Sequence, residues 1–316
     1  MTKPPATPLI IGTRASPLAL RQSNMVAQAL RDAHGLDAIT LREITTKGDM
    51  ALTGKLSELG GKGLFTEELE AGLRDGSLDL AVHSLKDLPT QNAEGLVLGA
   101  ILPRADAHDV LVARAGLTVS SLADLPEGAH IGTASLRRQA QILNARPDIN
   151  ISLLRGNVGT RLQKLDDLNM DATLLAAAGL ARLGLTPEGA VPLDSEVMLP
   201  AAGQGALAVQ CRADDDKTQT LLAVLACADT TACVTAERAF LNALDGSCRT
   251  PIAALAEIKE RKLILHGRLL AEDGSEMVEI KIATDLADAE QAGRDGAAAL
   301  RQQAPDLIPK PEAGRA

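Results

Sequence analysis

The stretch Ala81-Val-His-Ser-Leu-Lys-Asp-Leu-Pro89 decides how the rest of this chain is read. An apolar run from Leu78 to Val82 leads into Lys86–Asp87 and is closed by Leu88–Pro89. This is the pattern of a buried strand delivering two opposite charges at its carboxyl end, where open α/β sheets place ligand chemistry. Pro89 stops the strand because it has no N–H to give to a ladder. Taken alone, the stretch reads equally well as a surface turn with a solvated ion pair.

The neighbouring segments favour the strand. Residues 8–12 predict a first strand, and Ser16-Pro17 an N-cap followed by proline at the first helical position, with the helix running to about Ala33. A strand at 38–45 precedes a polar, glycine-bearing stretch from Lys47 to Gly63, read as a mobile loop, and then a helix from Leu64 to about Arg74. Strands follow at 96–102 and 109–113. The pattern then restarts with a strand through Ile131, a helix from Leu136 to Ala145, a strand over Ile151–Leu154, a helix over Val158–Leu168, a strand over Ala172–Ala177 and another at 206–211. Strands alternating with helices predict parallel α/β sheets. We expect one α/β domain from 1–104 with 200–222 and a second from 105–199. The last part, 223–316, reads as a small α+β domain. Helices at Thr218–Ala226 and Thr231–Leu244 precede hairpin-like alternation at 252–258, 263–270 and 277–283, an alanine-rich helix near 285–302 and a frayed tail from Pro305.

Composition excludes several classes. The 316 residues include two Phe, no Trp and no Tyr, so aliphatic side chains must fill the core and stacking platforms for single-stranded nucleic acid are lacking. A net charge of −9 also disfavours a phosphate backbone as partner. No apolar run approaches a membrane span, and the first eight residues lack the apolar segment of a leader. Cys211, Cys227, Cys233 and Cys248 lack C-x-x-C spacing and paired histidines, so no metal site and no membrane partner are expected; reduced thiols in a cytoplasmic protein are.

Arginines gather at predicted strand-to-helix junctions: Arg14, Arg137, Arg138, Arg155 and Arg182, with Arg161 in the helix beyond Arg155. Helix N-termini attract anions, and an arginine fork matches a carboxylate. One such arginine is ordinarily a solvated surface residue; several in an acidic protein predict a cleft for a polycarboxylate. Gly203-Gln-Gly205-Ala-Leu-Ala208 matches G-x-G-x-x-A but leads into strand-like alternation, so no nucleotide site is assigned. Gly60-Gly61-Lys62-Gly63 lacks P-loop spacing and reads as part of a lid beside Phe65. Asp87 either pairs with Lys86 or faces the arginines as a lone carboxylate, which would stabilise a cation or shuttle a proton. His83 reads as a core residue. Cys211, Cys227 and Cys233 sit in apolar stretches as inert core thiols. Cys248, in the loop Leu244-Asp-Gly-Ser-Cys-Arg-Thr-Pro251 beside Arg249, has the electropositive setting of a nucleophile.

Together these segments resemble the porphobilinogen deaminase family. The similar stretches are Gly12–Leu20, Gly60–Phe65, Val82–Asp87, Gly132–Gln139, Leu154–Arg161, Ala178–Arg182, Leu199–Ala206 and Gly246–Pro251. The resemblance implies two periplasmic-binding-protein-like (type II) α/β lobes around a cleft, and a small C-terminal α+β domain carrying a cysteine loop. It implies a monomeric transferase of tetrapyrrole biosynthesis, with a dipyrromethane cofactor held by a thioether to Cys248. Porphobilinogen units are then added one at a time with loss of ammonia, and hydrolysis releases linear hydroxymethylbilane. By the same resemblance Asp87 is catalytic; Lys86, Thr133, Ser135, Arg137, Arg138, Arg161 and Gln204 bind the cofactor; Arg14, Ser16, Arg155 and Arg182 bind substrate carboxylates; and Asp49, Lys62 and Phe65 belong to an active-site loop. Ala134 and Glu58 depart from the family pattern, in place of a serine and a loop lysine. The competing reading is a two-lobed anion-binding module, which would have no use for the Cys248 loop.

Overall fold

Aliphatic runs become strands here because their side chains fill both faces of sheets covered by helices. The structure, a computed structural model, describes residues 8–50 (Met50 by its backbone alone), 63–244 and 250–307. The chain forms β1 (Leu9–Arg14), α1 (Pro17–His34), β2 (Ile39–Ile44), the short α2 (Lys47–Met50), α3 (Glu67–Arg74), β3 (Leu80–Ser84) and β4 (Leu96–Ile101). It continues through β5 (Asp109–Ala113), β6 (His130–Gly132), α4 (Leu136–Ala145), β7 (Asn150–Ser152), α5 (Val158–Asp167), β8 (Ala172–Ala176), α6 (Ala177–Leu183) and β9 (Ala190–Pro192). Last come β10 (Leu207–Arg212), α7 (Asp216–Ala223), α8 (Ala228–Leu244), β11 (Ile252–Lys259), β12 (Lys262–Leu270), β13 (Met277–Thr284) and α9 (Ala289–Gln303).

Two five-stranded sheets share one plan, β2-β1-β3-β10-β4 and β7-β6-β8-β5-β9. In each, four strands run parallel and one, fourth in the order, runs against them: β10 is antiparallel to β3 and β4, and β5 to β8 and β9. The sheets are therefore mixed, which corrects the expectation of parallel ones. The reason is that β5 and β10 each arrive from the opposite lobe without a crossover helix, so strand–helix alternation does not reveal their direction.

The two crossing segments lie side by side. Leu102 N donates to Leu207 O at 3.0 Å and Ala105 N to Gly205 O at 3.2 Å. Gly205 has φ +87°, and a Cβ there would lie 2.4 Å from the Ala105 carbonyl oxygen, so this close passage requires glycine. Gly203-Gln-Gly205 accordingly turns into β10, as expected, instead of opening a helix.

The third sheet, β11-β12-β13, is an antiparallel meander. α8 and α9 cover it around the fully buried Phe240. Several element boundaries differ from expectation. The helix expected from Leu64 begins at Glu67, because residues 63–66 form a turn with Gly63 at φ +92°. Residues 47–50 of the expected loop form α2, and residues 51–62 lie outside the described residues. α7 starts at Asp216 because Asp215 caps it, accepting from Thr218 N at 2.9 Å. β9 is too short to leave a periodic signal. The tail beyond residue 307 lies outside the described residues. Among the described residues no single helix is long and apolar enough to cross a membrane.

His83 on β3 is 6% exposed, as a core residue should be. Burial, with the Arg14 charge nearby, pushes its imidazole down to about 4 against the opposing Gln210 side chain. A histidine depressed in the folded state contributes stability that is complete above its unfolded value near 6.5 and is lost as pH falls toward 4. Between pH 7 and pH 5 this residue alone should lower the unfolding free energy by roughly 2 kcal/mol. Urea titrations of wild type and His83→Gln at both pH values check this. The variant should lose that much less, and equal losses in the two proteins would refute a neutral buried His83.

Candidate active site

The parallel strands of both lobes point their carboxyl ends at the groove between the lobes. β1 ends at Arg14, and β3 passes into the turn Leu85–Asp87. β6 leads to Thr133 and Ser135, β7 to Arg155, and β8 into α6, which carries Arg182. Three helices begin there with side-chain caps. Ser16 accepts from Ala19 N at 3.3 Å, Ser135 from Arg138 N at 3.4 Å and Asn157 from Thr160 N at 2.9 Å. Ser16 and Ser135 thus fix helix starts as well as facing the groove.

A buried carboxylate lies behind the groove. Asp109, the first residue of β5, is 0% exposed and accepts from Arg137 Nη2 at 2.7 Å, Arg138 Nη2 at 2.7 Å and Gln204 Nε2 at 2.9 Å. Burial alone would push its carboxyl above the ordinary value, but the two guanidinium charges hold it well below the usual carboxylate range. Gln204 also accepts from Lys86 Nζ at 3.0 Å. Burial pushes the Lys86 ammonium down to about 8, with Asp87 opposing and Arg138 adding to the effect. Lys86 therefore turns to Gln204 in place of the Asp87 ion pair that its sequence position allowed.

Asp87 is exposed to the groove and lines a pocket with Arg14, Ser16, Gln22, Phe65 and Ser84. Arg14 is held on two sides. Asp49 accepts from its Nε at 3.1 Å and from its Nη2, and the Phe65 ring centroid lies 4.2 Å from the guanidinium carbon. Asp49 also accepts from Thr46 Oγ1 at 2.7 Å. Burial works against its ionisation, but the Arg14 and Thr46 hydrogen bonds hold it below its ordinary value. A Cβ at Gly48 would lie 2.2 Å from the Phe65 ring, so α2 packs its glycine directly on that ring. Both ends of the expected loop thus converge on Arg14.

The opposite wall is cationic and incompletely partnered. Nε and Nη2 of Arg155, Nε of Arg138 and Nε of Arg182 are buried without hydrogen-bond partners among the described residues. Arg182 reaches the hinge, donating from Nη2 to Gly205 O at 2.6 Å. Burial pushes Arg161 down to about 10, with the Arg138 charge adding to this and Asp87 opposing it. Arg14, Ser16 and Asp87 thus line one pocket, Lys86 feels the charges of Asp87, Arg137 and Arg138, and Arg161 feels those of Asp87, Arg138 and Arg155, while Gln204 joins Lys86 to Asp109 and Arg182 reaches Gly205. Ala134 is half-buried between Thr133 and Ser135. Lys62, Glu58 and Cys248 lie outside the described residues.

Three residues central to this arrangement were not singled out from the sequence. Asp109 opens a fully buried strand, and a lone acid in such a place signals a buried partner. Arg104 and Glu237 are linked across 133 positions, with no local signal. Arg104 donates from Nε to Gln204 O at 2.8 Å and pairs with the fully buried Glu237. One thiol expectation is corrected. Burial pushes Cys211 and Cys233 up to about 11, but Cys227 is only half-buried and hydrogen bonds with Thr230 lower it below its ordinary value.

Residues 9–220 match the family model described as "Porphobilinogen deaminase, dipyromethane cofactor binding domain", and residues 231–302 match "Porphobilinogen deaminase, C-terminal domain". The chain is 49% identical to the porphobilinogen deaminase of Syntrophotalea carbinolica over 300 residues, covering 95% of this chain and 94% of the relative. It is 46% identical to that of Paracoccus denitrificans over 303 residues, covering 95% and 96%. Among solved structures it shows a loose likeness to the periplasmic aliphatic sulphonate binding protein of Escherichia coli, at 16% identity and TM-score 0.38, over 75% of this chain and 74% of that one. The chain belongs to the porphobilinogen deaminase family, with both the cofactor-binding domain and the C-terminal domain of that family.

Proposed function

We propose that this chain is a hydroxymethylbilane synthase. It condenses four porphobilinogen molecules head to tail, releasing ammonia, onto a dipyrromethane primer linked to Cys248, and then frees the linear tetrapyrrole by hydrolysis. The observation that carries this reading is an exposed carboxylate, Asp87, near enough to Arg161 to oppose the effect of its burial, beside arginines whose buried donors lack partners among the described residues. Each pyrrole bears acetate and propionate groups, which those donors suit. The residues present fit the cofactor for the same reason. Lys86, Arg138 and Arg161, together with Thr133, Ser135, Arg137 and Gln204, would hold its carboxylates. When bound, the dipyrromethane supplies the free pyrrole carbon that is extended.

In this reading Arg14, Ser16, Arg155 and Arg182 orient the incoming substrate. Asp87 stabilises the cationic methylene-pyrrole left by loss of ammonia and takes up the proton released on condensation. Asp49, Lys62 and Phe65 belong to the covering loop, and Arg14 exchanges Asp49 for a substrate carboxylate. The working division of the chain is 1–104 with 200–222, 105–199 and 223–316. The same reading makes it a cytoplasmic monomer acting on a small molecule, without nucleic acid or membrane. The net charge of −9 and the near absence of aromatic residues argue against a nucleic-acid partner.

Two substitutions test these roles. Asp87→Asn should cut turnover by about 100-fold or more while leaving the melting temperature nearly unchanged; near-normal turnover in the folded variant would refute the catalytic assignment. Arg155→Ala should raise KM for porphobilinogen by about tenfold, the loss of one charge-assisted contact. A lowered melting temperature with unaltered steady-state kinetics would show instead that Arg155 is structural.

A further inference from the structure

Val234, Arg238 and Asn242 recur at every fourth position of α8 and so share one face. That face meets the turn carrying Asp87. Val234 is fully buried in one apolar cluster with Leu85 and Leu88, the residues on either side of Lys86–Asp87. Arg238 Nη2 donates to Pro89 O at 2.7 Å and to Thr90 O at 3.0 Å. Thr90 Oγ1 donates to Asn242 Oδ1 at 2.9 Å. The adjacent Glu237 accepts from Gly203 N at 2.7 Å and from Ala256 N at 2.7 Å, tying the same helix to the hinge and to β11.

The Asp87 turn needs such support. Once β3 ends, the turn is held by two backbone bonds, Leu85 N to Ala206 O at 3.0 Å and Leu88 N to Leu85 O at 3.1 Å, and Pro89 offers no donor to continue a ladder. Among the described residues the carbonyls of Pro89 and Thr90 accept from no other donor. A planar guanidinium that gathers both fixes where the turn points.

We infer that Arg238 is a positioning residue for the condensation, acting through the Pro89–Thr90 carbonyls to set the aim of Asp87. The inference rests on the reading of Asp87 as the catalytic carboxylate. α8 also runs out at Leu244, four residues before Cys248, so the aim of Asp87 is set by the helix that leads to the attachment cysteine. Arg238 is not among the residues lining the pocket that holds Asp87. Its loss should slow the chemical step and spare binding.

The test compares Arg238→Ala, Arg238→Lys and Asp87→Asn with wild type, by intact mass and steady-state kinetics with porphobilinogen. Arg238→Ala should retain the mass of the covalent primer and a KM within about twofold, while kcat falls about tenfold, as misplacement of a reacting group by a fraction of an ångström requires. Arg238→Lys, still able to donate to one carbonyl, should recover most of kcat. Unchanged kcat in Arg238→Ala, or a rise in KM alone, overturns the inference. If Arg238→Ala fails to fold, Thr90→Val replaces it, with kcat about threefold down expected and unchanged kcat again overturning the inference. An active Asp87→Asn refutes the catalytic reading itself. An inactive Asp87→Asn beside a fully active Arg238→Ala refutes only the positioning role.

Discussion

The arrangement depends on one buried carboxylate. Arg137 and Arg138 occupy the first turn of α4, where the helix dipole disfavours cations and no acidic residue offsets them. Both are almost fully buried and adjacent in sequence, so their mutual repulsion would be severe without a counter-charge. Asp109 provides it, with one oxygen facing each guanidinium. Removing one partner of such a group typically costs about 3–5 kcal/mol. Asp109 stands where the chain first enters the second lobe, and Gln204, which it also binds, stands where the chain returns. Charge balance in the groove and continuity of the hinge therefore rest on the same few atoms.

The C-terminal unit reads this network from behind. Gln141 of α4 accepts from Leu199 N at 2.8 Å and from Arg268 Nη1 of β12 at 2.9 Å. At the end of the same helix, Asn144 Nδ2 donates to Gly274 O at 2.9 Å, in the connection between β12 and β13. α4 is thus gripped at its middle and end by the third unit while its N-terminus faces the groove. On the other side Glu237 engages Arg104, whose Nε donates to the Gln204 carbonyl. The cationic helix α4 and the hinge are both braced by the third unit.

Much of this was legible in the sequence, because the informative signals are local. Strand–helix alternation marked both lobes, Ser16-Pro17 marked α1, and arginines at strand ends marked the groove before any geometry was known. What was hidden is long-range. The reversed strands β5 and β10 look like any other apolar run until their partners are known. Asp109 looks like any acid at the start of a predicted strand until its partners are known, and Arg104 with Glu237 carries no pattern at all. Asp49 lay in a stretch read as loop, and only the fold shows it filling the Arg14 fork that a substrate carboxylate would take. Cys227 resembled its apolar neighbours because sequence periodicity does not report the hydrogen bonds of a helix start.

The central claim is that this cationic groove serves a primer anchored at Cys248, and intact mass tests it most directly. Freshly expressed wild-type protein should weigh more than its sequence by two linked pyrrole units, and Cys248→Ala should not. Incubation with porphobilinogen should add further pyrrole units to the wild type and release ammonia. Folded wild-type protein that carries no added mass, before or after exposure to porphobilinogen, would contradict the account and leave an anion-binding groove without a reaction.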